Sequence, residues 1–402
     1  MDGEGPQHVR LGDVVFDTGC GVLRDASGET RQLRPQSARV LAELVRAQGQ
    51  GVSKAELIDR VWGDISVTED SLVQCVADIR RALGDGQRTL VQTLPRFGYR
   101  LALPERAGAE PAGTEEIGPL DQAPIRFAVS VDGTRLAWTA SGQGLPMLKA
   151  PSWISNIEME ARSLIFTEFY RRLGAHVRLV RFDQRGTSLS DRITGPLDLW
   201  DIVEDMRAVA DAAGLERFLL FGPSQGVAFS IAFAHRYPER VLGIIGRGGF
   251  GRGWLETGDE AGRRKYEGSR ELIEAGWNDS NPEYRRFFTA RLIPDSSPAV
   301  AREFDEMQRR ACDAAAILAN LDLMVGLDIE ALARQVTAPV LLLHSRGDRS
   351  VSDAEGRRLA MTLPNADFVL LDDDNHIFLP GTPGFHQALA AIERFLAGFG
   401  PA

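Results

Sequence analysis

Phe218-Leu219-Leu220-Phe221-Gly222-Pro223-Ser224-Gln225-Gly226 runs an apolar stretch into a G-x-S-x-G turn, and a helical pattern follows over 227–237. Glycines flank the serine because a sharp strand-to-helix turn leaves no room for side chains beside it. The turn sets the serine hydroxyl at a helix N-terminus, where the dipole and free N–H groups stabilise an anion. G-x-S-x-G alone recurs by chance in many chains; its strand–turn–helix setting gives it weight. A serine nucleophile needs a base, and the base needs an orienting acid. Val340-Leu341-Leu342-Leu343-His344-Ser345-Arg346-Gly347-Asp348 is an apolar strand ending in an acid. Phe368-Val369-Leu370-Leu371-Asp372-Asp373-Asp374-Asn375-His376 is a strand followed by a histidine.

Outward from these three stretches, strands and helices alternate. Ile125–Val131 and Thr134–Ala140 flank Asp132-Gly133, a two-residue hairpin signal. Apolar runs at 146–150, 177–182, 217–221, 241–245, 340–344 and 367–371 read as further strands with helical patterns between them. The expectation is an α/β unit with a mostly parallel sheet over 125–402. With the chain order Ser224, Asp348, His376, residues 125–399 resemble the α/β-hydrolase family. Phe182-Asp183-Gln184-Arg185-Gly186-Thr187-Ser188-Leu189-Ser190 is similar to the D-x-R-G-x-G-x-S turn of that family, with Thr187-Ser188 lacking the second glycine.

The resemblance implies Ser224 as nucleophile, His376 as general base and then acid, and Asp348 as the group that fixes the imidazole tautomer. It places the oxyanion donors at the backbone N–H groups of Gln225 and of Trp153, in the loop over 151–156. Lys149-Ala150-Pro151-Ser152 stands where the family commonly has His-Gly. It also implies a helical cap over about 250–330, inserted after the sixth strand. Trp254, Trp277, Phe287, Phe288, Leu292, Met307 and Leu318 of that insert either line an apolar pocket or pack the cap itself.

Other motifs read as structural. His235 sits at a helix end, His344 inside an apolar strand, and His386 on the surface of the last helix. Asp372-Asp373-Asp374 reads as a solvated turn rather than a metal cluster, although one of them could be an alternative acid. Gly246-Arg247-Gly248-Gly249-Phe250-Gly251 fits G-x-G-x-x-G by letter, but no clean βαβ unit follows it. It is expected to be a flexible lead-in to the cap. No cofactor and no metal are expected.

Residues 106–124 are small, acidic and rich in Pro and Gly, and read as a linker. Before it, residues 1–105 form a second unit. Strand-like runs at Val14–Phe16 and Gly21–Leu23 precede a helical pattern of Ala38, Leu41, Leu44 and Val45. Ser53 and Glu56 make a capping box for a second helix carrying Leu57, Ile58 and Val61. Thr68 can cap a third helix, in which Leu72, Val76, Ile79 and Leu83 share one face. Strands at Thr89–Thr93 and Tyr99–Leu101 complete a winged helix-turn-helix order.

The stretches Val67–Leu72, Ile79–Gly84 and Gln92–Arg100 resemble the OmpR-type winged-helix family, over roughly residues 8–104. The resemblance implies that the third helix enters the major groove of double-stranded DNA while the wing touches the minor groove or phosphates. Mapped onto this chain, the face opposite the core carries Asp70, Ser71, Gln74 and Asp78, with Gln74 suited to adenine. Arg80, Arg81, Arg96, Tyr99 and Arg100 would contact the backbone or minor groove. Asp70 and Asp78 are acids where many members carry basic or neutral groups. Winged helices of this type imply repeated half-sites and hence a homodimer.

Composition sets limits on both units. The 402 residues are 44% apolar and 25% charged, an ordinary globular balance. No run approaches the roughly 18 apolar residues of a membrane span, and the first residues lack a secretory pattern. Cys20, Cys75 and Cys312 are scattered and fit a reducing cytoplasm. The net charge is −10, and residues 1–105 hold 13 basic against 15 acidic side chains, so DNA contact requires a local basic surface. Together the units suggest a cytoplasmic one-component regulator. Its hydrolase-like domain would bind, with or without cleaving, a small apolar carbonyl-containing ligand such as an ester, lactone or amide. The alternative is a serine esterase whose winged helix serves dimerisation or localisation.

Overall fold

The computed structural model describes residues 8–11, 14–17, 20–25, 30–47, 52–63, 67, 69–85, 90–94, 97–101, 120–193, 195–258 and 260–400. Contacts divide the chain into Met1–Gly113 and Thr114–Ala402. Residues 102–119, which hold most of the expected linker, lie outside the described residues, as do Thr68 and Arg96.

In the first unit β1 (His8–Leu11), β2 (Val14–Asp17), β3 (Val22–Asp25) and β4 (Thr30–Gln32) form an antiparallel sheet in chain order. The sequence reading gave only the middle pair. Every residue of β4 is exposed, so it has no buried face to produce alternation. Next, α1 (Pro35–Arg46) starts on proline, whose missing N–H would have no acceptor there anyway, and buries Val40, Leu41 and Leu44. After the short β5 (Val52–Ser53), α2 (Lys54–Trp62) opens on the expected capping box. Ser53 Oγ accepts from the Glu56 N–H at 3.2 Å, and the Glu56 carboxylate accepts from the Ser53 N–H at 3.0 Å.

The third helix, α3 (Glu69–Leu83), buries Leu72, Val76 and Ile79 on the predicted face. The hairpin β6 (Val91–Leu94) and β7 (Gly98–Leu101) follows, and β5 pairs with the free side of β7. The end of α3 is tied to this wing. The Asp85 N–H donates to Arg80 O at 2.8 Å, while its carboxylate accepts from the N–H groups of Leu90 and Val91 at 3.1 and 2.7 Å.

In the second unit β8 (Arg126–Val129) and β9 (Arg135–Ser141) form the expected hairpin. Then come β10 (Leu145–Lys149), α4 (Ile157–Glu160), α5 (Thr167–Gly174), β11 (Val177–Phe182), α6 (Leu199–Ala212), β12 (Phe218–Pro223), α7 (Gly226–Arg236) and β13 (Val241–Arg247). Four helices are inserted here: α8 (Glu260–Gly276), α9 (Glu283–Leu292), α10 (Pro298–Ala311) and α11 (Ala314–Val325). The chain ends with α12 (Glu330–Ala333), β14 (Val340–Ser345), α13 (Asp353–Thr362), β15 (Ala366–Leu371) and α14 (Pro383–Ala397).

The sheet order is β15-β14-β13-β12-β10-β11-β9-β8, parallel from β15 to β11 and antiparallel at β9 and β8. Both faces are covered, as a parallel sheet requires. Ile202, Met206, Phe229 and Phe233 of α6 and α7 pack in one core, and Phe169, Phe385 and Ile392 of α5 and α14 in the other. The strand order reverses at β10, with β11 on one side and β12 on the other. At such a reversal the loops leaving the strand C-termini diverge and open a crevice. The inserted helices have their own core of Ile273, Trp277, Phe304, Met307 and Ile317. No helix among the described residues is long and apolar enough to cross a membrane.

Candidate functional site

Ser224 follows β12 at the strand-order reversal and is held at φ +55°, a left-handed conformation that costs a non-glycine residue. Its N–H donates to Arg247 O at 2.6 Å. The glycines around it are sterically required. A Cβ on Gly222 would lie 2.5 Å from Gly226 O, and one on Gly226 would lie 2.6 Å from Pro151 O. Helix α7 begins two residues after the serine.

Asp348 and His376 meet from the ends of β14 and β15. His376 Nδ1 lies 2.7 Å from Asp348 Oδ2. Asp348 Oδ1 accepts from the N–H groups of Ser350 and Val351 at 2.8 and 3.0 Å. A carboxylate only accepts, so Nδ1 is the donor, and in the neutral ring that tautomer leaves the lone pair on Nε2. Burial pushes the Asp348 carboxyl up, but the His376 ring, their hydrogen bond and Arg247 outweigh it and bring the pKa down to about 2. Nε2 is buried with no hydrogen-bond partner among the described residues, Ser224 Oγ included. Ser224 and His376 nevertheless share the wall of one cavity.

The histidine loop is anchored on several sides. The His376 N–H donates to Leu292 O of α9 at 2.8 Å, and Ser345 Oγ donates to Asn375 O at 2.8 Å. Asp373, expected in a solvated turn, accepts from the Asn375 N–H at 2.8 Å and from Thr382 Oγ1 at 2.7 Å, so it shapes the loop. His344 is buried with Nε2 2.9 Å from Val351 O.

The loop after β10 brings Trp153 to the same crevice. Among the described residues the backbone N–H groups of Trp153 and Gln225 make no hydrogen bond. The loop is held by side chains. Asn320 of α11 donates from Nδ2 to Ser152 O and Trp153 O at 3.4 and 3.0 Å. Gln225 Nε2 donates to Ser152 O at 3.2 Å and to Asn320 Oδ1 at 2.7 Å. Thr187 and Ser188, standing where the family has its second glycine, also serve this loop. Thr187 Oγ1 is 2.8 Å from Ser155 Oγ, and Ser188 Oγ donates to Ser155 O at 2.8 Å.

A cavity of about 290 Å³ lies over Ser224, between the strand ends and the inserted helices, with Trp153, Phe250, Trp254, Phe288 and Leu321 on its walls. A second cavity, about 60 Å³, runs inward beside Ser224 and His376. Of the insert's expected aromatic and apolar residues, Trp254, Phe288 and Leu292 line the larger space. Trp277 and Met307 are buried within the insert, Leu318 packs against its core and Phe287 is exposed. The segment Gly246–Gly251 is not a flexible lead-in. Its first two residues end β13, all six are buried, and Gly251 O accepts from the Ile329 N–H at 3.0 Å.

On the winged helix, Gln74 and Arg81 are exposed on α3 and Ser71 is half-buried. Arg100 is exposed on the wing, donating to Gln92 Oε1. Three expected contacts are corrected. Arg80 donates to Val91 O at 2.6 Å and to Thr93 Oγ1 at 2.9 Å, which ties α3 to the wing instead of leaving it for phosphate. Tyr99 is 5% exposed and packs in the unit's core. Asp78 lies 3.2 Å from Arg81 and 3.4 Å from Arg34, so it restrains two exposed cations instead of presenting a free acid to the bases.

Residues 160–266 match the family described as alpha/beta hydrolase fold. Over 240 residues the chain is 30% identical to the RutD protein of Caulobacter vibrioides, which carries the name of a carbamate hydrolase; the match takes in 53% of this chain and 79% of that protein. The chain belongs to the α/β-hydrolase family. A solved thermophilic esterase from Thermogutta terrifontis shares the fold of this α/β-hydrolase, with a TM-score of 0.57 and 23% identity over 69% of this chain and 99% of that one. Ahead of the hydrolase domain, residues 28–101 match the family described as Transcriptional regulatory protein, C terminal. There the chain is 40% identical over 128 residues to the transcriptional regulator HilA of Salmonella typhimurium, covering 32% of this chain and 23% of HilA. The match thus spans less than a quarter of that regulator's length. This α/β-hydrolase therefore carries a DNA-binding regulator domain of winged-helix type on the same chain.

Several residues of this α/β-hydrolase site gave no sequence signal. Asn320 is a lone asparagine 95 positions after Gln225, which it contacts. Arg247 was legible only as a letter of a false dinucleotide motif. The buried group of Lys149, Glu160, Tyr170 and Arg181 joins separate elements around one carboxylate.

Proposed function

We propose that this protein is a one-component transcriptional regulator in which a small cytoplasmic ester, lactone or amide occupies the chamber over Ser224 and alters DNA binding by the winged helix. The observation that carries this reading is the Asp348–His376 couple, preset beside a strained Ser224 beneath a helical cap, on the same polypeptide as a winged-helix domain whose α3 exposes Gln74 and Arg81. Ligand and DNA influence one another only if the ligand binds the DNA-competent and DNA-free states with different affinity. A homodimer on repeated half-sites is part of the proposal.

The chemistry follows from the geometry. Ser224 Oγ bonds to the ligand carbonyl carbon as its proton passes to His376 Nε2. Asp348, charged at all ordinary pH, stabilises the imidazolium. The carbonyl oxygen becomes an anion facing the N–H groups of Trp153 and Gln225. The leaving group departs with the proton from Nε2, and water repeats the sequence to release the acid and restore the serine. The lifetime of the acyl-enzyme then sets how long the signal lasts.

Titrating the full-length chain onto DNA from upstream of its neighbouring genes tests the regulator reading. Binding is expected to be sequence-selective and to weaken with salt. Arg81→Ala should weaken binding to all sequences alike and lower the slope of log affinity against log salt by about one. Arg80→Ala should instead lower thermal stability, because it unties the wing from α3. Binding without selectivity or salt dependence would contradict the reading and favour an esterase whose winged helix serves dimerisation or localisation.

A further inference from the structure

The small inner cavity beside Ser224 and His376 has mostly apolar walls, including Phe169, Phe221 and Phe378. Besides His376, three charged side chains break this wall, the cations Lys149 and Arg247 and the carboxylate Glu160. Arg247 is 2% exposed. Its Nη2 donates to Ser345 Oγ at 2.7 Å and to Asn375 O, and its guanidinium lies 5.0 Å from the centre of the Phe378 ring. Its Nε and Nη1 are buried with no hydrogen-bond partner among the described residues. No carboxylate lies within ion-pair distance of it among those residues; Asp348, bonded to His376 and two backbone amides, and Asp373 act on it from farther off. Lys149 lies 3.3 Å from Glu160, but Glu160 also serves Arg181 at 3.1 Å and the Tyr170 hydroxyl at 3.2 Å. Among the charged side chains that line this space, two cations, Lys149 and Arg247, stand beside one carboxylate, Glu160, which is shared between Lys149 and Arg181.

Burying a guanidinium with idle N–H groups is among the costliest arrangements in a protein interior. Such groups are retained where something else completes them. A cavity of about 60 Å³ accommodates only a few heavy atoms. We infer that this inner cavity is a carboxylate subsite, so that the ligand is a short-chain ester, lactone or amide bearing a carboxylate near its scissile carbonyl. The apolar walls take the intervening methylene groups, and Arg247, assisted by Lys149, takes the charge. This deepens the proposed function and rests on Ser224 and His376 acting on a carbonyl in the same space.

The test compares mono-4-nitrophenyl succinate with neutral 4-nitrophenyl pentanoate on the full-length chain. The ratio of their kcat/KM values cancels any loss common to both. Wild type should favour the succinate by about ten-fold or more, and Arg247→Met should lower the ratio about 10²-fold, with Arg247→Lys restoring part of it. Calorimetry on full-length Ser224→Ala provides a readout without turnover. Monomethyl succinate should bind at least about ten-fold more tightly than dimethyl succinate. If Arg247→Met does not fold, the wild-type ratio and the calorimetry decide. Ester turnover with a ratio near one, and no preference in calorimetry, would overturn the subsite and leave the hydrolase reading standing. Selective binding of monomethyl succinate without turnover of either ester would support the subsite and remove the hydrolase reading.

Discussion

Ser224→Ala is expected to abolish covalent labelling by a fluorophosphonate and to lower ester turnover by a factor on the order of 10⁴–10⁶. The loss is large because the variant has no hydroxyl at the strained turn that shares the cavity wall with His376. His376 keeps its Nδ1 bond to Asp348 and its backbone anchor on Leu292, so the base survives with no nucleophile to serve. The fold should be little affected. The Ser224 N–H bond to Arg247 O is a main-chain contact that alanine retains, and φ +55° is comparably strained for either residue. Intact-mass analysis after probe treatment, beside hydrolysis of 4-nitrophenyl pentanoate, checks this. Equal labelling of the variant, or turnover within ten-fold of wild type, would contradict the assigned nucleophile.

Gly248→Ala is expected to lower kcat/KM by about 10²–10³ without removing any catalytic group. A Cβ at position 248 would lie 2.7 Å from His376 Cε1, 2.9 Å from Nδ1 and 3.4 Å from Asp348 Oδ2. The backbone there has φ +61°, which adds strain for any side chain. The ring has little freedom to yield, because Asp348 is fixed by the N–H groups of Ser350 and Val351 and the histidine main chain by Leu292. The couple must therefore open or turn, and Nε2 loses its aim at the chamber. Steady-state kinetics and the rate of probe labelling should fall together while the protein remains folded by circular dichroism. Activity within three-fold of wild type would show that the couple tolerates displacement.

What the sequence revealed and what it concealed have physical causes. Ser224 was legible because a strand, a turn without space for side chains and a helix must follow one another locally. The buried face of α3 was legible because Leu72, Val76 and Ile79 recur at helical spacing. The strands β1, β4 and β5 were missed because two to four residues carry too little alternation to register. Arg80 looked like a phosphate contact because charge patterning does not show a carbonyl such as Val91 O arriving from the wing. Tyr99 was misplaced because adjacent Gly98 and Tyr99 are both buried, which breaks the expected alternation of β7. Asn320 and Arg247 contact the site through a helix insertion and through parallel-strand register, and no local pattern encodes either contact.

The central claim is that occupancy of the chamber over Ser224 is felt by the DNA-binding domain. It is tested most directly by measuring, through fluorescence anisotropy, the affinity of the full-length chain for its own upstream DNA before and after stoichiometric fluorophosphonate modification, with Ser224→Ala treated identically. The account predicts that modification shifts the wild-type Kd by about five-fold or more and leaves that of Ser224→Ala unchanged. The same Kd for modified and unmodified wild type would contradict it.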